Sequence, residues 1–478
     1  AELFGHLAYY FFEIQPDLPL FTHLIISALF PIYTGAHASL ARPSSAAKPA
    51  KRARAPGEDV DEHEDDEDEE DADDVQRMEG LSLQDAIVMP IFAGVTLTGL
   101  YLLIKWLKDL ALLNQILNAY FAFFAFGSVS RFLTDAMDFT HGVVFPRRFV
   151  SGEVLWDVNV RRRSACPKDV RTGETRNDIA AMSSPLPGFL SALPLPGAVR
   201  DALWMIRGLP KQKWTVKAYL HRIAAFRTRI GLHGILGLGL GTAAVLYFNF
   251  VDKPWFLTNL MGFAFSYIAL QLMSPTTFAT GSLLLSALFF YDIYMVFFTP
   301  MMVTVAKSLD IPIKLMFPRP DIPGATPDLP SIKQHAMLGL GDVVIPGIMI
   351  GLALRFDLYL FYLRKQKKQP VSDDSKTRLE IVKAPYLPVS RIWADKLWTR
   401  TSAASFPKPY FTASMVGYVF GMVVTLLVMR FMDHAQPALL YLVPGVLISL
   451  WSTALVRGEL RDMWDFSEAS DEEDDGDK

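Results

Sequence analysis

Two aspartates stand inside hydrophobic segments long enough to cross a bilayer: Asp292 in SALFFYDIYMVFF and Asp342 in AMLGLGDVVIPGIMIGLAL. An ionisable side chain at that depth costs about 2.5–3.5 kcal/mol on insertion scales, so its retention points to use. A single acid would suit a proton relay or a counter-ion. Two acids on successive spans can share a proton and activate water, which is the chemistry of peptide-bond hydrolysis inside a membrane.

The chain around them is built for a bilayer. Its 478 residues are 51% hydrophobic and 20% charged, and the charges are gathered into polar blocks between apolar runs. Length and polarity give an all-α, polytopic membrane protein with about nine transmembrane helices. The expected spans are Pro19–Leu40, Asp85–Ile104, Gln115–Leu133, Gly231–Phe250, Trp255–Met273, Thr276–Phe298, Gln334–Leu354, Phe411–Met432 and Pro437–Val456. Cys166 is the sole cysteine, which excludes an internal disulfide and a thiolate metal cluster. The nine histidines show no HExxH pair, and Asn-X-Ser/Thr does not occur.

The polar blocks set the organisation. Residues 1–40 form a luminal N-terminus with the first span, and 41–84 an acidic cytosolic loop containing GEDVDEHEDDEDEEDADD. That loop cannot bury enough apolar surface to offset ordering entropy and is expected to be disordered. Spans two and three occupy 85–133, a long basic cytosolic loop 134–230, and a catalytic membrane core 231–456 that contains a second basic loop at 357–409. An acidic cytosolic tail follows at 457–478. Excess Lys and Arg mark the cytosolic side, and with nine spans both basic loops fall on that side by parity. These loops suit topology and anionic lipid rather than nucleic acid.

Parity also sets the depth of the acids. Asp292 lies about six residues before the far end of the sixth span and Asp342 about eight residues into the seventh, so both sit roughly 10 Å below one surface. Adjacent antiparallel helices can then present them face to face. Two carboxylates in contact cannot both ionise, so the pair holds one proton. The ionised member takes a proton from water while the protonated one polarises the scissile carbonyl. The titration belongs to the pair. No metal and no organic cofactor is needed.

Neighbouring residues supply candidates for support. Gly339 and Gly341 precede Asp342 and suit close helix approach. Tyr291 precedes Asp292 and is suited equally to ordering water or to packing. Pro437, Ala438 and Leu439 open the last span, either as a helix end brought against the acids or as a plain helix start with proline in its first turn. Asp135, Asp252 and Asp357 fall at or beyond span ends and are expected to face water. The glycines of 231–241 read as close helix packing.

Taken together, FFYDIYMVFFTPMMVTVAKSLDIPIKLMFP, AMLGLGDVVIPGIMIGLALRFD and HAQPALLYLVP carry YD, GxGD and PAL signatures in order. In these the chain resembles the signal peptide peptidase family of presenilin-type intramembrane aspartyl proteases, over most of 231–456. The resemblance implies a presenilin-like nine-span fold, catalytic roles for Asp292 and Asp342, and active-site support from Pro437, Ala438 and Leu439. It also implies residence in the endoplasmic reticulum and cleavage of remnant signal peptides and type II membrane segments. Partners would then be transmembrane peptides and lipids, with degradation machinery or a second copy as further candidates. The ending Asp475-Gly476-Asp477-Lys478 departs from the family's usual dilysine-type terminus. Other readings are a cation or proton channel using the same acids, a presenilin-like subunit of inverted topology, and a non-catalytic scaffold for membrane clients.

Overall fold

In the computed structural model the described residues are 15–47, 78–107, 110–151, 154–169, 179–220, 224–309, 314–318, 335–373, 376–386, 398, 406–432 and 436–468. Among them, nine helices are long and apolar enough to cross a membrane. They are α1 (Leu18–Ala38), α2 (Leu83–Trp106), α3 (Leu110–Val144), α4 (Leu232–Phe250), α5 (Trp255–Leu272), α6 (Phe278–Phe297), α7 (Gly341–Lys365), α8 (Pro409–Met432) and α9 (Leu439–Arg457). The number matches the sequence expectation. Local chemistry explains several ends. A capping box starts α2, where Ser82 and Asp85 exchange side-chain and backbone bonds. The Thr277 hydroxyl accepts the Thr280 N–H at 3.1 Å to start α6. Gly458, at φ +70°, closes α9.

The chain divides into two units. The larger comprises residues 1–122, 253–386 and 407–478. Its central helix is α7, with 83% of its most apolar window buried against 33% for α6. It touches α1, α5, α6, α8 and α9. The α8–α9 pair meets backbone to backbone: a methyl on Gly445 would lie 2.5 Å from the Gly417 carbonyl, and one on Gly417 would strike Gly445 in turn. Small residues allow that approach in an apolar medium, where dispersion and close packing replace the hydrophobic effect.

The end of α7 remote from Asp342 corrects one expectation. Asp357 does not face water; it is 2% exposed, because α7 continues to Lys365. Its carboxylate accepts the N–H groups of Tyr410 and Phe411, at 3.3 and 2.9 Å, and so caps the start of α8. Nearby, the buried Arg355 guanidinium bonds Ser39, Ser274 and Glu468, tying α1 and the segment after α9 to α7.

The flanks of the acidic loop are also ordered. Ala47 bridges to Pro385, and Glu79–Leu81 runs parallel to Met273–Pro275. The acidic run itself lies outside the described residues.

The second unit comprises 123–252 and 387–406. Its polar part, expected as a loop over 134–230, is folded. α3 runs on to Val144, and three antiparallel strands follow at Arg148–Ser151, Val154–Asn159 and Ser164–Asp169. Phe149, Trp156 and Ala165 form a small core against Trp398. Arg207, on the helix Gly197–Gly208, is buried and donates to the carbonyls of Pro146 and Pro185. The hairpin Lys213–Leu220 with Ala224–Gly231 leads into α4. Gly237 and Gly241 of α4 face Thr134 and Ser130 of α3 so closely that neither has room for a methyl, in line with the packing expected of them.

Substituting Gly445→Val should overpack the α8–α9 contact and cost about 1–3 kcal/mol. A thermal melt in detergent micelles should show a lowered transition, and an unchanged melt would remove this contact from the account.

Candidate active site

A β-hairpin, absent from the sequence reading, leads into the second acid. Strand β1 (Lys314–Pro318) pairs antiparallel with β2 (His335–Gly339), with Met316 opposite Met337. The seventh span therefore begins at Gly341 and not at Gln334. Asp342 stands in its first helical turn, immediately after a strand, and not eight residues inside a helix. Leu315, Phe317, Ala336 and Leu338 are buried while Met337 is 56% exposed, so the hairpin has one covered and one open face.

The first acid is placed by α6 and met by α9. Asp292 is 4% exposed, and its Oδ2 accepts the Leu439 N–H at 3.1 Å. Leu439 is the first residue of α9, where backbone donors have no partner within the helix. A helix N-terminus is a natural seat for negative charge. The two sequence readings of Pro437 are thus joined: the segment is an ordinary helix start, and that start is held against the acid. Pro437 and Leu439 are buried and Ala438 half-buried.

The two acids share one neighbourhood. A methyl on Gly281 of α6 would lie 2.6 Å from the Met349 sulfur of α7. Further from the acids, the Phe278 and Phe356 rings meet edge to face at 5.2 Å, so the helices run antiparallel. Asp292 and Asp342 lie on the same side of that crossing. Asp342 is half-buried.

Sequence reasoning missed Tyr418. Its hydroxyl, on fully buried α8 surface, donates to the Asp342 main-chain carbonyl at 3.2 Å. In an unbroken helix that carbonyl would take the N–H four residues on, but Pro346 stands there and has none. Tyr418 supplies the missing donor. The pattern D-x-x-x-P signals an orphaned carbonyl; which residue answers it depends on a contact 76 positions away.

Other candidates move. Gly339 and Gly341 do not mediate helix–helix contact: a methyl on Gly339 would sit 3.4 Å from the Asp342 carboxylate itself, and one on Gly341 would meet only Ile345. Gly339 keeps the space beside the acid clear. The Tyr291 ring lies against Gly94 of α2, 3.6 Å from where a methyl would stand, which favours its packing role.

The hairpin edge has a defined polarity. The Asn259 side chain, from α5, donates to the Met316 carbonyl at 2.8 Å and accepts its N–H at 2.6 Å. The Met316 main chain thus points away from β2. In an antiparallel pair, opposed residues face the same way relative to the ladder, so the Met337 N–H and carbonyl point away from β1.

A membrane core carrying YD, GxGD and PAL around one junction agrees with sequence comparison. The signal peptide peptidase profile matches residues 71–470. The chain belongs to the signal peptide peptidase family. It is 36% identical over 233 residues to human signal peptide peptidase, covering 49% of each chain. It is 34% identical over 244 residues to Intramembrane protease 2 of Caenorhabditis elegans, covering 51% of this chain and 45% of the relative. A probable intramembrane protease of Saccharomyces cerevisiae is 26% identical over 397 residues, covering 80% and 60%. The chain spans about half the length of the human and nematode relatives it matches.

Replacing Tyr418→Phe should leave the Asp342 carbonyl without a donor and cost about 1–3 kcal/mol. Thermal melting in detergent micelles should fall; an unchanged melt would show that Pro346 needs no compensation.

Proposed function

We propose that this signal peptide peptidase family member is an intramembrane aspartyl endopeptidase in which Asp292 and Asp342 form the catalytic dyad. The observation that carries this is a buried Asp292, held by the Leu439 N–H, on the same side of the antiparallel α6–α7 contact as Asp342. One proton is shared between the carboxyls. The ionised carboxylate takes a proton from water as the water oxygen bonds to the scissile carbonyl carbon. The protonated carboxyl hydrogen-bonds the carbonyl oxygen and transfers its proton there. The tetrahedral intermediate then collapses: the C–N bond breaks, the departing nitrogen is protonated, and the dyad recovers its single proton. Protein carboxyls and water suffice for every step.

A helix in lipid shields its peptide bonds by internal hydrogen bonding, so a substrate span must unwind before it reacts. The open edge of β2 offers replacement bonds: a substrate strand pairing with Met337 would continue directly towards Asp342. Tyr291, Gly339, Gly341, Pro437, Ala438 and Leu439 act by shaping the site. The substrates we infer are remnant signal peptides and type II membrane segments, cut in the endoplasmic reticulum membrane. The N-terminus is then luminal and the C-terminus cytosolic, with degradation machinery or a second copy as candidate partners.

In liposomes, Asp292→Asn and Asp342→Asn should each lower cleavage of a signal-peptide substrate at least ~100-fold while the melting transition is retained. Cleavage persisting in either folded variant would reject the dyad.

A further inference from the structure

Asn259 is 5% exposed on α5 and devotes its whole side-chain amide to one residue of β1. An amide that both donates to and accepts from the same residue's main chain reproduces the pair of bonds a neighbouring strand would make. Lys314 and Pro318 share Met316's outward orientation on β1; Pro318 has no N–H to offer, Met316 is taken by Asn259, and Lys314 stands at the end of the strand opposite Gly339. The outer edge of β1 is thereby closed at its middle residue and lacks a donor at Pro318, so the hairpin presents β2 as its better edge to an incoming strand.

We propose that Asn259 is a positioning residue that determines which peptide bond of the substrate is cut. This rests on the strand-addition reading above. β2 runs without interruption into Gly341 and Asp342, so the register of a substrate on β2 sets which carbonyl arrives at the dyad. A slip of one residue moves the chain by about 3.4 Å and turns every side chain to the opposite face. The apolar contacts of β1, such as Leu315 against Gly262, hold the hairpin on α5 but are not directional. The two bonds from Asn259 to Met316 are directional, and they fix the hairpin along its own length relative to α5. Met337, directly opposite Met316, inherits that position.

The test uses the full chain in liposomes with a transmembrane peptide, products being read by mass spectrometry. Asn259→Leu removes both bonds, and Asn259→Asp keeps the acceptor for the Met316 N–H but loses the donor. Met337→Pro removes the central outward N–H of β2, between those of His335 and Gly339. We expect Asn259→Leu to spread cleavage to adjacent bonds, lowering the share of the principal product about twofold or more, with kcat falling more than KM changes. Asn259→Asp should do so to a smaller extent, and Met337→Pro should lower cleavage at all bonds about tenfold. A role confined to satisfying a buried main chain would lower the melting transition without redistributing products. If Asn259→Leu folds and cuts the same bond in the same proportion, while Met337→Pro is impaired, the positioning role is overturned and strand addition stands. If Asn259→Leu does not fold, the near-isosteric Asn259→Asp decides by the same criterion. Wild-type cleavage by Met337→Pro would overturn strand addition and the proposal with it.

Discussion

A carboxyl group carried into an apolar span must be given its hydrogen-bond partners by the protein, and at Asp292 the partner is the first N–H of α9. Much of the core follows from meeting that demand. α9 must begin at the level of Asp292, which the Pro437-Ala438-Leu439 segment arranges by ending one run of backbone and starting a helix. α9 must also be held laterally, which the glycine contact with α8 achieves. α8 in turn is anchored at its own start by Asp357 and reaches Asp342 through Tyr418. Two polar contacts and one close backbone crossing therefore link α6, α7, α8 and α9 around the two acids, and the Asp357 cap ties α8 to the far end of α7.

The second acid is set differently. Asp342 sits where a strand becomes a helix, and Pro346 removes the bond its carbonyl would have received in the first full turn. Such irregular backbone at membrane depth is tolerated where protein supplies the missing bonds. Tyr418 does this on one side and the β1–β2 pairing on the other. Among the described residues, β2 pairs with β1 alone and has no strand partner on its other side.

Some of this was written locally in the chain and some was not. The spans were legible because their apolar length is unmistakable, and the acids because charge is rare at that depth. The hairpin was not, since HAMLG reads as the opening of a continuous apolar run, and a buried strand and a buried helix segment look alike over so few residues. Asp357 was misread as exposed because the expected span ended at Leu354, just before the charges of Arg355 and Asp357, whereas the helix runs on to Lys365 and the partners of Asp357 lie on α8, far along the chain. Asn259 and Tyr418 carry no local signature at all. Each acts by a hydrogen bond to distant backbone, and only the fold brings the two together.

The central claim is that the side chains at 292 and 342 meet, and proximity can be measured without any substrate. In a Cys166→Ser background, Asp292→Cys and Asp342→Cys would be treated with a short bifunctional thiol reagent, and the chain then cut at a protease site inserted within 319–334. The account predicts that the two fragments stay joined. Fragments that separate, while a Phe278→Cys and Phe356→Cys pair treated alike remains joined, would contradict it.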